Sequence, residues 1–242
     1  LTGGAEWRWD HENRASPEAV SGLEPTQYQR GFGYLGLLGS SGDFDGRLAG
    51  TATRYDFDDV PTAGGFINND DRDRWQGEAG ARAGVTLQSG TALFLQGAYD
   101  WRDYDDPIDD RGYRRNSDGF SLSAGVQGTL GDGFSGEVFA GWLHQDYRDA
   151  RLKSVATFDI GAVLDWAGRN GLGGSLRLDR SIEETTLPRA SGYIATSGRL
   201  SLRNDVHPRL SAGVGLSGTH YDYIGDPRTE FVIGGDAWAR YW

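Results

Sequence analysis

The chain has 242 residues, among them 38 glycines, eight tryptophans and eleven tyrosines, with no cysteine or methionine and a formal charge of −11. That composition excludes a disulfide scaffold, a zinc-thiolate site and a thiol nucleophile, and it argues against nucleic acid as a partner, which a basic face usually binds. No stretch reaches the roughly 18 apolar residues of a membrane-spanning helix, which leaves a soluble β-protein, a disordered tract or a transmembrane β-barrel.

Lacking an initiator methionine, the chain is expected to be a processed product or an internal segment. An apolar/polar alternation of period two runs through it and removes disorder. Weaker versions occupy residues 5–9, 28–38 and 44–55. In 74–87, Trp75, Gly77, Ala79, Ala81, Ala83, Val85 and Leu87 alternate with Arg74, Gln76, Glu78, Gly80, Arg82, Gly84 and Thr86. A strand with one apolar and one wet face requires this. Residues 93–101, 120–130, 134–147 and 155–166 follow. In 172–183, Leu172, Gly174, Leu176, Leu178 and Ile182 alternate with Ser175, Arg177, Asp179, Ser181 and Glu183. Residues 194–206, 210–219 and 231–242 complete about twelve strands with no helical run between them. The reading is all-β, up-and-down and antiparallel, in a single domain over 1–242.

Several alternations persist for more than ten residues, beyond the usual 5–6 of a globular strand and enough for a tilted membrane-crossing one. Short turns are predicted at 39–43, 88–91, 131–133, 167–171 and 206–208. Longer acidic loops are predicted at 14–25, 56–72, 102–117 and 184–192, with shorter ones near 146–153 and 222–228. One rim of short turns and one of long loops is the asymmetry of outer-membrane barrels. Trp7, Trp9, Tyr55, Phe57, Trp75, Tyr99, Trp101, Tyr104, Trp142, Tyr147, Tyr221 and Tyr223 gather toward the long-loop ends, and Phe44, Phe134 and Trp166 near short turns. Aromatic rings suit a lipid–water interface. The alternative, a packed soluble core, meets an opposite face too polar to fill one. Many glycines fall inside strands, where a barrel wall can use them to relieve crowding.

The segment Asp106-Pro107-Ile108-Asp109-Asp110-Arg111-Gly112-Tyr113-Arg114-Arg115-Asn116-Ser117-Asp118-Gly119 resembles the third long loop of an outer-membrane β-barrel porin family of alphaproteobacterial type. Gly136-Glu137-Val138-Phe139-Ala140-Gly141-Trp142, followed by Gln145-Asp146-Tyr147, resembles it too. Ser181-Ile182-Glu183-Glu184-Thr185-Thr186-Leu187-Pro188 and Ala190-Ser191-Gly192-Tyr193 are similar to its next long loop. Tyr221-Asp222-Tyr223 and residues 6–13 fit less specifically, and the resemblance covers most of the chain. It implies a barrel of the bacterial outer membrane. Genes of the family often stand beside polysaccharide-export systems, so the implied partners are outer-membrane lipid, a small solute or polysaccharide, and envelope proteins. Family members continue through about one more hairpin beyond Trp242. Either the barrel closes with twelve strands, or the full protein has about fourteen; truncation is preferred.

The wet faces carry both charge signs. Arg8, Arg74, Glu78, Arg82, Arg102, Arg177, Asp179, Arg199 and Arg203 are the expected lumen and selectivity residues. They would serve passive passage of small hydrophilic or anionic oligosaccharide solutes. The alternative is a lumen knitted shut by ion pairs, giving a closed anchoring barrel in an envelope or export assembly. A hydrolase is the distant alternative. His11, His144 and His220 each have an acid nearby, but carboxylates are so abundant that such neighbours are expected by chance, and His207 reads as a solvated turn residue. No catalytic residue and no cofactor is expected. Asp56, Asp58, Asp59, Asp70, Asp71, Asp73, Asp103, Asp105, Asp106, Asp109 and Asp110 would suit a hard cation. The simpler reading is a solvated rim bridged loosely by divalent ions and by Arg72, Arg111, Arg114 and Arg115, with no dedicated metal site.

Overall fold

The computed structural model describes residues 1–13, 22–87, 90–129, 133–168 and 171–242. Fourteen strands follow in chain order: β1 Thr2–His11, β2 Gln27–Ser41, β3 Phe44–Phe57, β4 Val60–Thr62, β5 Gly65–Ile67, β6 Arg74–Thr86, β7 Thr91–Tyr104, β8 Ser117–Thr129, β9 Phe134–Tyr147, β10 Val155–Ala167, β11 Leu172–Glu184, β12 Gly192–His207, β13 Leu210–Tyr223 and β14 Thr229–Tyr241. Twelve of them form one antiparallel sheet in which each neighbours the next, and β4 with β5 makes a separate hairpin. The expected number of wall strands is therefore met. The hairpin inside the 56–72 loop is new, because strands of three residues are too short to carry a periodic signal.

The boundaries move modestly. β7 extends to Tyr104 and β8 begins at Ser117, so the predicted 102–117 loop shrinks to 105–116. β12 runs to His207 through a register irregularity between Asp205 and His207. Residues 14–21 of the first long loop, 88–89 and 131–132 of two short turns, Leu130, and 169–170 lie outside the described residues. Among the described residues β1 pairs only with β2 and β14 only with β13, so the Trp242 end does not meet the first strand.

The wall is inverted relative to a water-soluble protein. Along β7, Ala92, Phe94 and Tyr104 are buried, while the intervening Leu93, Leu95, Tyr99 and Trp101 are exposed. Leu35, Leu48, Leu122, Val214, Leu216 and Ile233 are exposed on other strands, whereas Gln145 is 1% exposed and Asp159 7%. Such a continuous apolar surface is stable only against another apolar phase. At about 3.3 Å per residue, a 14-residue strand such as β7 spans roughly 46 Å. With a tilt near 40° it rises about 35 Å, past an apolar band of about 25 Å into both rims.

Tryptophans settle at those rims by covering glycines on the neighbouring strand. Trp7 faces Gly31 and Trp101 faces Gly77 toward the long loops. Trp166 faces Gly174 and Trp238 faces Gly213 toward the short turns. In all four pairs a Cβ on the glycine would collide with the indole. Part of the glycine excess is thus space reserved for interfacial rings.

One strand departs from plain alternation. The β10–β11 ladder covers only Ala162–Ala167 against Gly173–Leu178. Beyond it, the long-loop half of β11 leans across the polar face of β7–β10. Ile182, expected toward lipid, is buried with Val155 and Ile194 for this reason. The sheet therefore curls with its polar face inside.

Candidate functional site

Alternate residues of the strands build the inner face, and ion pairs tie it across. On β6, Arg82 donates to Glu137 Oε2 of β9 at 2.8 Å and to Gln127 of β8, with its guanidinium 3.4 Å from the Phe94 ring centroid. Nearer the long loops, Arg102 of β7 pairs with Glu184 of β11 and donates to the Ile182 carbonyl at 2.6 Å. The Tyr104 hydroxyl donates to the other Glu184 oxygen at 2.7 Å. Ser123 bonds Asp159, and Gln145 donates to Ser117 Oγ at 3.0 Å. In a medium of low polarisability these ties hold charges that burial would otherwise penalise.

Between the ties lie three adjoining cavities. The outermost, about 410 Å³, is lined by Tyr28, Tyr55, Phe57, Arg74, Tyr104 and Glu183 among others. Arg74 stands there 4.7 Å from the Tyr55 ring and 5.6 Å from Tyr104. The next, about 370 Å³, shares Gln76 and Glu183 with it and adds Glu78, Asp100, Arg102, Asp159 and Arg180. A third of about 290 Å³ shares Glu78, Ala98 and Ser121 with the second and reaches Arg47, Arg82 and Gln96. Arg74, Gln76, Glu78 and Arg82, all on β6, thus mark one line from the mouth inward.

The long-loop rim is bolted, in contrast to the loose solvated rim expected. Arg115 is 1% exposed and donates to Asp109 Oδ2 at 2.7 Å. It also donates to the carbonyls of Thr185 at 2.9 Å, Ala190 at 2.7 Å and Leu187 at 3.2 Å, in the loop between β11 and β12. Arg111 donates to the Thr186 carbonyl at 2.7 Å. The intervening loop joins in: Asp149 accepts from the Arg114 N–H at 3.0 Å, and the Lys153 N–H donates to Ser191 Oγ at 2.6 Å. The Arg151 guanidinium and surrounding N–H donors hold Asp149 well below the usual carboxylate range. On the other side Arg72, inside the 56–72 segment, pairs with Glu12 and lies 4.1 Å from the Phe57 ring. Desolvation, reinforced by Asp56 and only partly opposed by the Phe57 N–H, pushes Asp73 up to about 6.

The nine expected residues separate into five groups. Arg82 and Arg102 are held in the ties above. Arg8 pairs with Glu6 at 2.8 Å and Arg199 with Asp236, all of them more exposed. Arg74 and Glu78 line the cavities, Arg177 and Asp179 are exposed on β11, and Arg203 lines a separate cavity near the short turns with Asp165 and Trp166. The sequence reading missed Asp100, Arg180 and Glu184. Asp100 continues the even-numbered face of β7, a signal that was available; the other two depend on the lean of β11. His144 lies 2.9 Å from Asp146, but its ring packs on Phe120, and among the described residues no serine hydroxyl is bonded to an imidazole. Among the described residues no three His, Asp or Glu side chains converge as a metal site.

No curated protein matches the sequence significantly. A family model does, over residues 1–242, and it carries the description "Putative beta-barrel porin 2". An inverted wall with exposed leucines, interfacial tryptophans and a charged inner face is what a membrane-embedded barrel needs, and this chain belongs to that β-barrel porin family.

Proposed function

We propose that the chain forms a barrel of the bacterial outer membrane that gives small hydrophilic solutes passive passage along its polar inner face, with no chemical step. The observation carrying this reading is the run of three cavities that share lining residues from the long-loop mouth to Arg82. Their polar walls can replace part of a solute's hydration shell. Purified protein reconstituted in planar bilayers should give discrete conductance steps in KCl. A silent bilayer from protein that still shows heat-modifiable migration would contradict passage.

A second reading, a closed barrel anchoring an envelope or polysaccharide-export assembly, draws support from the Arg115 bolt and the Arg82–Glu137 tie. The same silent bilayer would favour it. The anionic oligosaccharides suggested by the sequence rested on inward arginines, of which Arg82 and Arg102 are committed to carboxylates.

A further inference from the structure

We infer that the passage selects for cations, and that Glu78 and Asp100 set this preference; the inference rests on the passive-passage reading above. The middle cavity is lined by the carboxylates Glu78, Asp100, Asp159 and Glu183 and by only two guanidiniums, Arg102 and Arg180. Arg102 is spent elsewhere, on Glu184 and the Ile182 carbonyl, and reaches Asp100 only at 3.5 Å. Arg180 donates to Thr157 Oγ1 at 3.0 Å, a neutral partner. Asp100 Oδ1 is buried and makes no hydrogen bond. Among the described residues the Glu78 carboxylate has no hydrogen bond or ion pair, and Asp159 and Glu183 are bonded by the hydroxyls of Ser123 and Ser181 without a cation.

Four carboxylates against two guanidiniums leave this cavity with a net negative lining, Arg102 partly offsetting Asp100 and Arg180 keeping its own charge, on the line from the mouth to Arg82. Glu78 also lines the inner cavity, so a solute passing between the two meets it twice. Even in a water-like dielectric, one unit charge at about 5 Å enriches a monovalent cation roughly fourfold and depletes an anion equally. Arginine abundance along the strands points the other way, but Arg82 and Arg102 are tied to Glu137 and Glu184, and in the middle cavity carboxylates outnumber guanidiniums.

The test is the reversal potential across a planar bilayer under a tenfold KCl gradient. Wild-type protein should favour K⁺ over Cl⁻ by at least about threefold. Glu78→Gln with Asp100→Asn should bring the ratio close to unity, and Arg180→Gln, which removes a cation from the same cavity, should raise it. Opposite movements cannot come from general damage to the barrel. Conducting protein that prefers Cl⁻, shows no preference, or keeps its ratio in both variants overturns the selectivity while leaving passage intact. A bilayer left silent by folded protein overturns passage and selectivity together.

Discussion

The tryptophan–glycine pairs show how a single hydrogen side chain can be a structural requirement. Gly77 is buried beneath Trp101, and any Cβ there must push the indole outward. Gly77→Ala should therefore cost about 1–3 kcal/mol, as overpacking does. Urea unfolding in lipid would measure it, and the cost should shrink in a Trp101→Ala background, where the ring is gone. Asp73 gives a pH signature of its own. Its folded pKa of about 6 lies above the ordinary 3.8, so the folded rim binds the proton more tightly than the unfolded one. The stability it contributes is complete below about pH 3.8 and is lost as pH rises through about 6. Amide protection in β4–β5, after correction for the intrinsic pH dependence of exchange, should accordingly be lower at pH 7.5 than at pH 4.5. Asp73→Asn, whose side-chain oxygen can still accept from the Phe57 N–H, should flatten that difference. Asp149, with its lowered pKa, works with the opposite sign and loses its contribution in acid.

Arg115 does at the level of elements what the tryptophans do locally. One buried guanidinium joins the 105–116 loop to carbonyls of the loop between β11 and β12. Removing one partner of such a pair strands the other, at about 3–5 kcal/mol. Arg115→Met should leave the strands folded while speeding proteolytic cleavage of both loops by a hundredfold or more; unchanged cleavage would show the bolt to be dispensable. Little of this was legible in sequence. Arg115 was one of many arginines near many acids, and nothing in spacing singles out Asp109 and three carbonyls from another loop. The wall strands were legible because long alternation survives from residue to residue. The β10–β11 break was not, since Leu172–Glu184 alternates regularly and only the lost ladder turns Ile182 and Glu184 inward.

For the whole molecule, the composition that looked contradictory becomes a division of labour. A mean hydropathy of −0.56 averages an apolar outer face with a charged inner one and acidic rims. The family assignment supplies the barrel, and the strand faces supply its orientation to lipid. Within it, Arg82 and Arg102 tie the wall together, and the middle cavity is lined by more carboxylates than guanidiniums. All of this depends on which face of each strand meets lipid. With no native cysteine, that is open to direct measurement by single-cysteine substitution along β7 from Leu93 to Arg102 in lipid vesicles. Positions 94, 96, 98, 100 and 102 should react with a charged, water-soluble thiol reagent, more slowly where packing is tight. Positions 93, 95, 97, 99 and 101 should resist it and report an apolar environment to a polarity-sensitive probe. Reactivity without a period of two, or the opposite set reacting, would contradict the inverted wall.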